Sequence, residues 1–216
     1  MMDDVEQIIR MLRRYRGENV FNPYRDRCAT HDLSYAARIR TENLRRYLTS
    51  LAARSHPVAI VGRDLGYRGG RRTGLPLSDE TLLPLIGARY GIELARACNT
   101  GPLVERTAQE LWRFAERFES APLLWNVFPW HPHRPGEPLS NRPHTAAEAR
   151  AGRDVLRRVL DLHDVRVVIA LGRVAQATLA SMGVGHIPIR HPSHGGQTEF
   201  RTGMTAVFGG RDLSGS

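Results

Sequence analysis

Apolar residues recur at helical spacing near the start of the chain. Val5, Ile8, Ile9 and Leu12 fall at i, i+3, i+4 and i+7, and Ala36, Ile39, Leu44, Leu48 and Leu51 form a second stripe among arginines. Both patterns predict amphipathic helices, over residues 3–16 and roughly 32–54. From residue 57 the rhythm changes to short apolar runs. HPVAIVG, PLLWNVF, VRVVIALG and HIPIRHPS read as four strands. Helices over about 79–90, 103–118, 145–162 and 173–182 fill the gaps, with Ser78 and Thr145 standing where N-caps belong.

Strands alternating with helices predict an α/β fold, here a three-layer α/β/α sandwich with a central four-stranded parallel sheet. One domain is expected over residues 1–208, of which 1–54 are the N-terminal helices, followed by a disordered tail at 209–216. In open parallel sheets, ligands bind beyond the carboxyl ends of the strands. That rule selects GRDLGYRGGRRTGLPLS after the first strand, NVFPWHPHRPGEPLSNRPH after the second, the Gly172 turn after the third and HPSHGGQ after the fourth.

Charge narrows the partner. The net charge of +9 and the pI near 10.6 favour a polyanion, because each phosphate neutralised releases counterions. An Arg-for-Lys coding bias is the alternative source of the same charge. Lysine is absent from the chain, so an enzyme working through a Schiff base would have only the α-amino group of Met1 as its amine. Water is therefore favoured as a nucleophile. The two cysteines, Cys28 and Cys98, cannot supply the four thiolates of an iron-sulfur cluster or an all-cysteine zinc site. The glycines near residue 62 lack a P-loop lysine and form no GxGxxG. No cofactor and no metal are expected. The opening MMDDVEQIIRMLRRYRG is unlike a signal peptide, and no run of about 18 apolar residues occurs, so a cytoplasmic protein without a membrane partner is expected.

Three motifs at the ends of the expected strands carry a family resemblance. Gly62-Arg63-Asp64-Leu65-Gly66-Tyr67, followed by Gly74-Leu75-Pro76-Leu77-Ser78, is similar to the GQDPYH and GLAFS segments of the uracil-DNA glycosylase superfamily. Asn126 in LLWNVF and the late His191-Pro192-Ser193 complete the set in the family's order, and the resemblance spans about residues 57–205. It implies an enzyme that flips uracil out of single- or double-stranded DNA and hydrolyses its N-glycosidic bond. An abasic site and free uracil would be the products. The absence of cluster cysteines points to a cluster-free branch.

Breaking that bond leaves cationic character on the sugar and negative charge on the departing base. By resemblance, Asp64 stabilises the sugar and orients water, while neutral His191 hydrogen-bonds to uracil O2. Asn126 donates to O4 and accepts from N3–H, a pairing that cytosine reverses. Gly62, Gly66, Tyr67, Leu77 and Phe128 are the further base-binding candidates. Gly66 stands where the main family has a Tyr that excludes the thymine methyl, and Leu77 where a Phe stacks on the base, so Tyr67 or Phe128 is expected to supply the ring. Ser193, Arg68, Arg71, Arg72, His194 and Gln197 are the DNA-contact candidates. The wedge Leu of the family is missing, and Gln197 or Arg201 substitutes for it, or else single strands are preferred.

Three other functions fit parts of the pattern. A protein of this fold could bind uracil-containing or abasic DNA without cleaving it, although Asp64 argues against an inert binder. A glycosylase for other deaminated bases, such as hypoxanthine or xanthine, suits the open Gly66. A metal-dependent hydrolase would draw on His131, His133, His144, His186, His191 and His194, but in a Pro-rich loop that fixes no geometry. A monomer is the expected state for an enzyme that wraps a DNA strand.

Overall fold

The computed structural model describes residues 2–53, 57–115, 119–163, 165–193 and 195–209. In chain order these form α1 (Met2–Arg14), β1 (Val20–Phe21), α2 (Ala36–Ala52), β2 (Val58–Asp64), α3 (Gly70–Thr73), α4 (Leu83–Tyr90) and α5 (Arg106–Ala115). There follow β3 (Leu123–Phe128), β4 (His131–Pro132), α6 (Ala146–Asp161), β5 (Val167–Leu171), α7 (Arg173–Ser181), β6 (Ile187–Ile189) and α8 (Gln197–Gly209).

The four expected strands pair in the order β3-β2-β5-β6, all parallel. Helices flank the sheet, giving the α/β/α architecture that the alternation predicts. The chain runs from β2 outward to β3 and then returns to the other side of β2 as β5. In open parallel sheets such a reversal, here at the carboxyl ends of β2 and β5, is where ligands bind. Register sets Gly62 opposite Asn126 and Asp64 opposite Phe128. β2 runs through Asp64, two residues beyond the expected strand, so the acid occupies the last rung of the sheet instead of the loop.

The N-terminal stripe does what its spacing predicts: Val5, Ile8, Ile9 and Leu12 are buried, in the same apolar cluster as the sheet. The Leu12 carbonyl accepts from Trp130 Nε1 at 3.0 Å and Asn22 Nδ2 at 2.8 Å. This joins the end of α1 to the segment after β3. From α2, the Tyr47 hydroxyl donates to the Leu124 carbonyl at 3.1 Å and accepts from its N–H at 2.7 Å. Losing that hydroxyl would strand buried groups at a cost of about 1–3 kcal/mol.

Helix boundaries follow local chemistry. Thr145 caps α6 through a capping box with Glu148. Ser78 does not cap α4: its hydroxyl donates to the Leu75 carbonyl at 2.8 Å, and the helix starts only at Leu83. Asp79 instead takes the Thr81 and Leu82 N–H groups on Oδ1, forming a turn that delays the helix. Similarly, Glu105 accepts from Thr107 and Ala108 N–H and starts α5, and burial raises its carboxyl above the usual range. The expected end of that helix, at 116–118, lies outside the described residues, as do the tail positions 210–216. Gly209, where the tail was expected to begin, is the last residue of α8. α3, α8 and the antiparallel β1-β4 pair are elements the periodicity did not predict.

Candidate active site

Asp64 ends β2 with its side chain only 6% exposed. The carboxylate is held on both oxygens. Arg63 Nε donates to Oδ2 at 2.5 Å, and His144 Nδ1 is hydrogen-bonded to Oδ1. A carboxylate so bracketed keeps its charge pointed in one direction, which is what stabilising a developing cation requires.

Asn126 lies on the neighbouring strand and is buried. Its Nδ2 donates to the Asp64 carbonyl at 3.2 Å, which fixes the amide's orientation. Oδ1 is buried with no hydrogen-bond partner, an uncompensated acceptor that a ligand N–H would satisfy. Gly62 makes this possible: a Cβ there would lie 2.8 Å from Asn126 Nδ2 and 3.0 Å from Leu77 Cδ2. Leu77 itself holds φ at +48°, a conformation that costs an L-residue roughly 1–2 kcal/mol. Trp112 Nε1, donating to the Leu77 carbonyl at 3.0 Å, helps keep it there. These residues form one contiguous wall.

His191 follows β6 and is half-buried. Its Nδ1 accepts from the Ser193 N–H at 3.2 Å and lies 2.7 Å from Ser193 Oγ. A backbone N–H can only donate, so Nδ1 is the acceptor and Nε2 carries the ring proton. Gly172, the turn after β5, packs where a Cβ would meet His191 Cβ at 3.1 Å. The carboxyl ends of β2, β3, β5 and β6 thus supply the acid, the amide, the turn and the imidazole.

The remaining candidates divide. Gly66 is open, and a Cβ there would meet only Glu105 Cγ, at 3.8 Å. Tyr67 is half-buried, with its N–H donating to Asn141 Oδ1 at 3.0 Å. Its hydroxyl accepts from the exposed Arg68, whose guanidinium lies 5.3 Å from the ring centroid. Gln197 and Ser193 are exposed. His194 lies outside the described residues.

Phe128 is not a base-stacking ring. It is 0% exposed, enclosed by Tyr15, Trp130 and His144 with centroids 5.5, 5.0 and 5.7 Å away. Nor do Arg71 and Arg72 face phosphates. They are 1% and 2% exposed. Arg72 Nε donates to buried Glu80 at 2.5 Å, and Nη2 reaches Thr100 Oγ1 and the Gly101 carbonyl. The Arg71 guanidinium lies 4.0 Å from the Phe21 centroid, a cation–π contact inside the protein, and burial pulls its pKa down. Arg201 forms a two-pronged ion pair with Glu110, which leaves Gln197 as the wedge candidate not committed to a carboxylate.

Among the described residues, the candidate histidines have separate partners. His131 is buried, with Nε2 donating to the Ser140 carbonyl at 2.8 Å, and burial lowers its pKa to about 3. His133 and His186 bond to main-chain carbonyls. Among the described residues, no three His, Cys, Asp or Glu side chains are grouped to hold an ion. His144 is the functional neighbour that sequence reasoning missed, having been counted only among possible metal ligands. Its one local signal is its position immediately before the Thr145 cap.

The strands of one parallel sheet thus present a braced carboxylate, a buried amide and an imidazole whose Nδ1 accepts a hydrogen bond, groups of the kind that stabilise charge as a polar bond breaks. The sequence pattern of the Uracil DNA glycosylase superfamily matches residues 50–206, and the chain belongs to that superfamily. It is thus a DNA glycosylase acting on damaged bases. No curated protein sequence matches it. Among solved structures it is similar to wild-type Pedobacter heparinus SMUG2, with a TM-score of 0.63 at 12% identity, over 95% of this chain and 97% of that one. At that identity the likeness is one of fold.

Proposed function

We propose that the protein excises uracil from DNA by hydrolysis and leaves an abasic site without cutting the strand. The observation that carries the reading is the Asn126 amide, pinned through Nδ2 with Oδ1 buried and unpartnered. Uracil offers N3–H to that oxygen and O4 to the second amide hydrogen, whereas cytosine presents an acceptor and a donor in the opposite order. Asp64 faces the sugar and orients the water, and His191 donates Nε2–H to the base oxygen as charge grows there. Tyr67 and Leu77 contact the base, and Ser193 and Gln197 contact the DNA. With no lysine in the chain, water is the nucleophile.

The test uses a labelled single-stranded oligonucleotide with one uracil, treated with alkali after incubation, beside matched cytosine and hypoxanthine oligonucleotides. Alkali-dependent scission confined to uracil is expected. Asp64→Asn should lower it by about 10³-fold and His191→Ala by about 10²-fold. Scission of the hypoxanthine strand in preference would move the substrate to another deaminated base. Tight binding to uracil DNA without scission would reverse the role given to Asp64.

A further inference from the structure

We propose that His144 is a positioning residue for Asp64: its Nδ1–H holds the carboxylate in the rotamer that faces the sugar. The inference rests on the role of Asp64 given above and adds a residue to it. Asp64 and His144 side chains are 6% and 4% exposed, so little water competes for the bond. Arg63, the other partner, is 40% exposed on its side chain and can swing into solvent. The lasting constraint on the carboxylate therefore comes from His144.

The imidazole stands on a rigid mount. Glu148 takes the Thr145 N–H at 2.6 Å and Arg142 Nη1 and Nη2 at 2.8 and 2.7 Å. Residues on both sides of His144 are thus fastened to one side chain at the start of α6. Behind the ring lies Phe128, itself packed on Trp130 and Tyr15. Phe128 thereby gains a function that replaces base stacking: it backs His144. The path runs from the sheet through Phe128 and His144 to Asp64, across an 80-residue separation. Reactive groups held in productive geometry gain much of their rate from orientation, and misplacing one by about 1 Å costs about 100-fold.

The experiment compares wild type with His144→Leu, His144→Asn and His144→Gln. Single-turnover excision is measured on the single-uracil oligonucleotide. Affinity is measured on one bearing 2′-fluoro-deoxyuridine, whose electron-withdrawing fluorine suppresses a cationic sugar. Asn sets its amide N–H near the position of Nδ1, and Gln sets its own near Nε2. A positioning role predicts that His144→Leu loses about 100-fold in turnover while its affinity stays within about twofold. It also predicts that Asn recovers at least about tenfold of that loss and Gln does not. If Leu folds poorly, the Asn and Gln pair decides, since both are small polar amides. Equal rates for Asn and Gln, full turnover in Leu, or turnover and affinity falling together would overturn the proposal while leaving the uracil reading intact. Wild-type protein that leaves the uracil strand uncut would overturn both.

Discussion

The two halves of the site are held in different ways. The Asp64 side chain is 6% exposed and Asn126 is buried, and beside the adjacent Arg63 they have partners far along the chain: His144 is 80 residues from Asp64, and the bond between the two strands spans 62. Among the described contacts, His191 bonds to Ser193 two residues on, with Gly172 packed behind it. The fold thus preorganises the half that meets the sugar and reads the base. The half that delivers a proton donor includes a contact within its own loop, from Ser193 to His191. The tightly packed first half is expected to be sensitive to small steric changes, and the Ser193 hydroxyl contact to His191 to be worth one hydrogen bond.

The largest effect expected from that difference is at Gly62. Gly62→Ala drives a methyl against Asn126 Nδ2 and Leu77, neither of which has an easy retreat: one is tied to Asp64 and the other sits at positive φ. We expect a stability loss of about 1–3 kcal/mol and a fall in uracil excision of about 100-fold, read by thermal unfolding and single-turnover kinetics. Retained activity would show that the braced half is looser than its contacts imply. Ser193→Ala acts on the other half. It removes the hydroxyl from His191 Nδ1 but leaves the backbone N–H that sets the tautomer. Excision should fall only about fivefold to tenfold, the worth of one hydrogen bond, with the melting temperature unchanged. A loss as large as that of Gly62→Ala would erase the distinction between the halves.

The sequence made part of this visible. Four strands and the six expected helices are periodic features, and periodicity is local. Asp64, Asn126 and His191 were candidates because motifs resembling those of the uracil-DNA glycosylase superfamily stand at the ends of those strands. The pairing of His144 with Asp64 was not legible, since it depends on where a Pro-rich loop turns back after 80 residues. Arg71 and Arg72 misled for the opposite reason: charge reads as surface by default, and only the tertiary positions of Glu80 and Phe21 reveal two interior guanidiniums. Phe128 looked available because a strand-end aromatic carries no mark of which neighbours cover it. α8 did leave a signal, Phe200, Met204 and Val207 at i, i+4 and i+7, all buried. Glycines at 195, 196, 203 and 209 and three threonines between 198 and 205 weakened its helix propensity enough to hide it.

The burial of Arg71 and Arg72 sharpens what remains to be tested on the surface. Of the three arginines between residues 68 and 72, Arg68 alone is exposed. It leans on Tyr67 at the rim of the braced half, four residues past Asp64. A phosphate contact there would be screened and modest, so the effect on uncatalysed affinity at one salt concentration would be small. The slope of log affinity against log salt is the better probe. Arg68→Ala should reduce it by about one if the guanidinium displaces a counterion from the strand, with little change in stability because its bonds are to an exposed neighbour. An unchanged slope would mean that this rim touches no phosphate. The DNA would then be gripped from the His191–Gln197 side, and the braced half would be left to handle the flipped nucleotide alone.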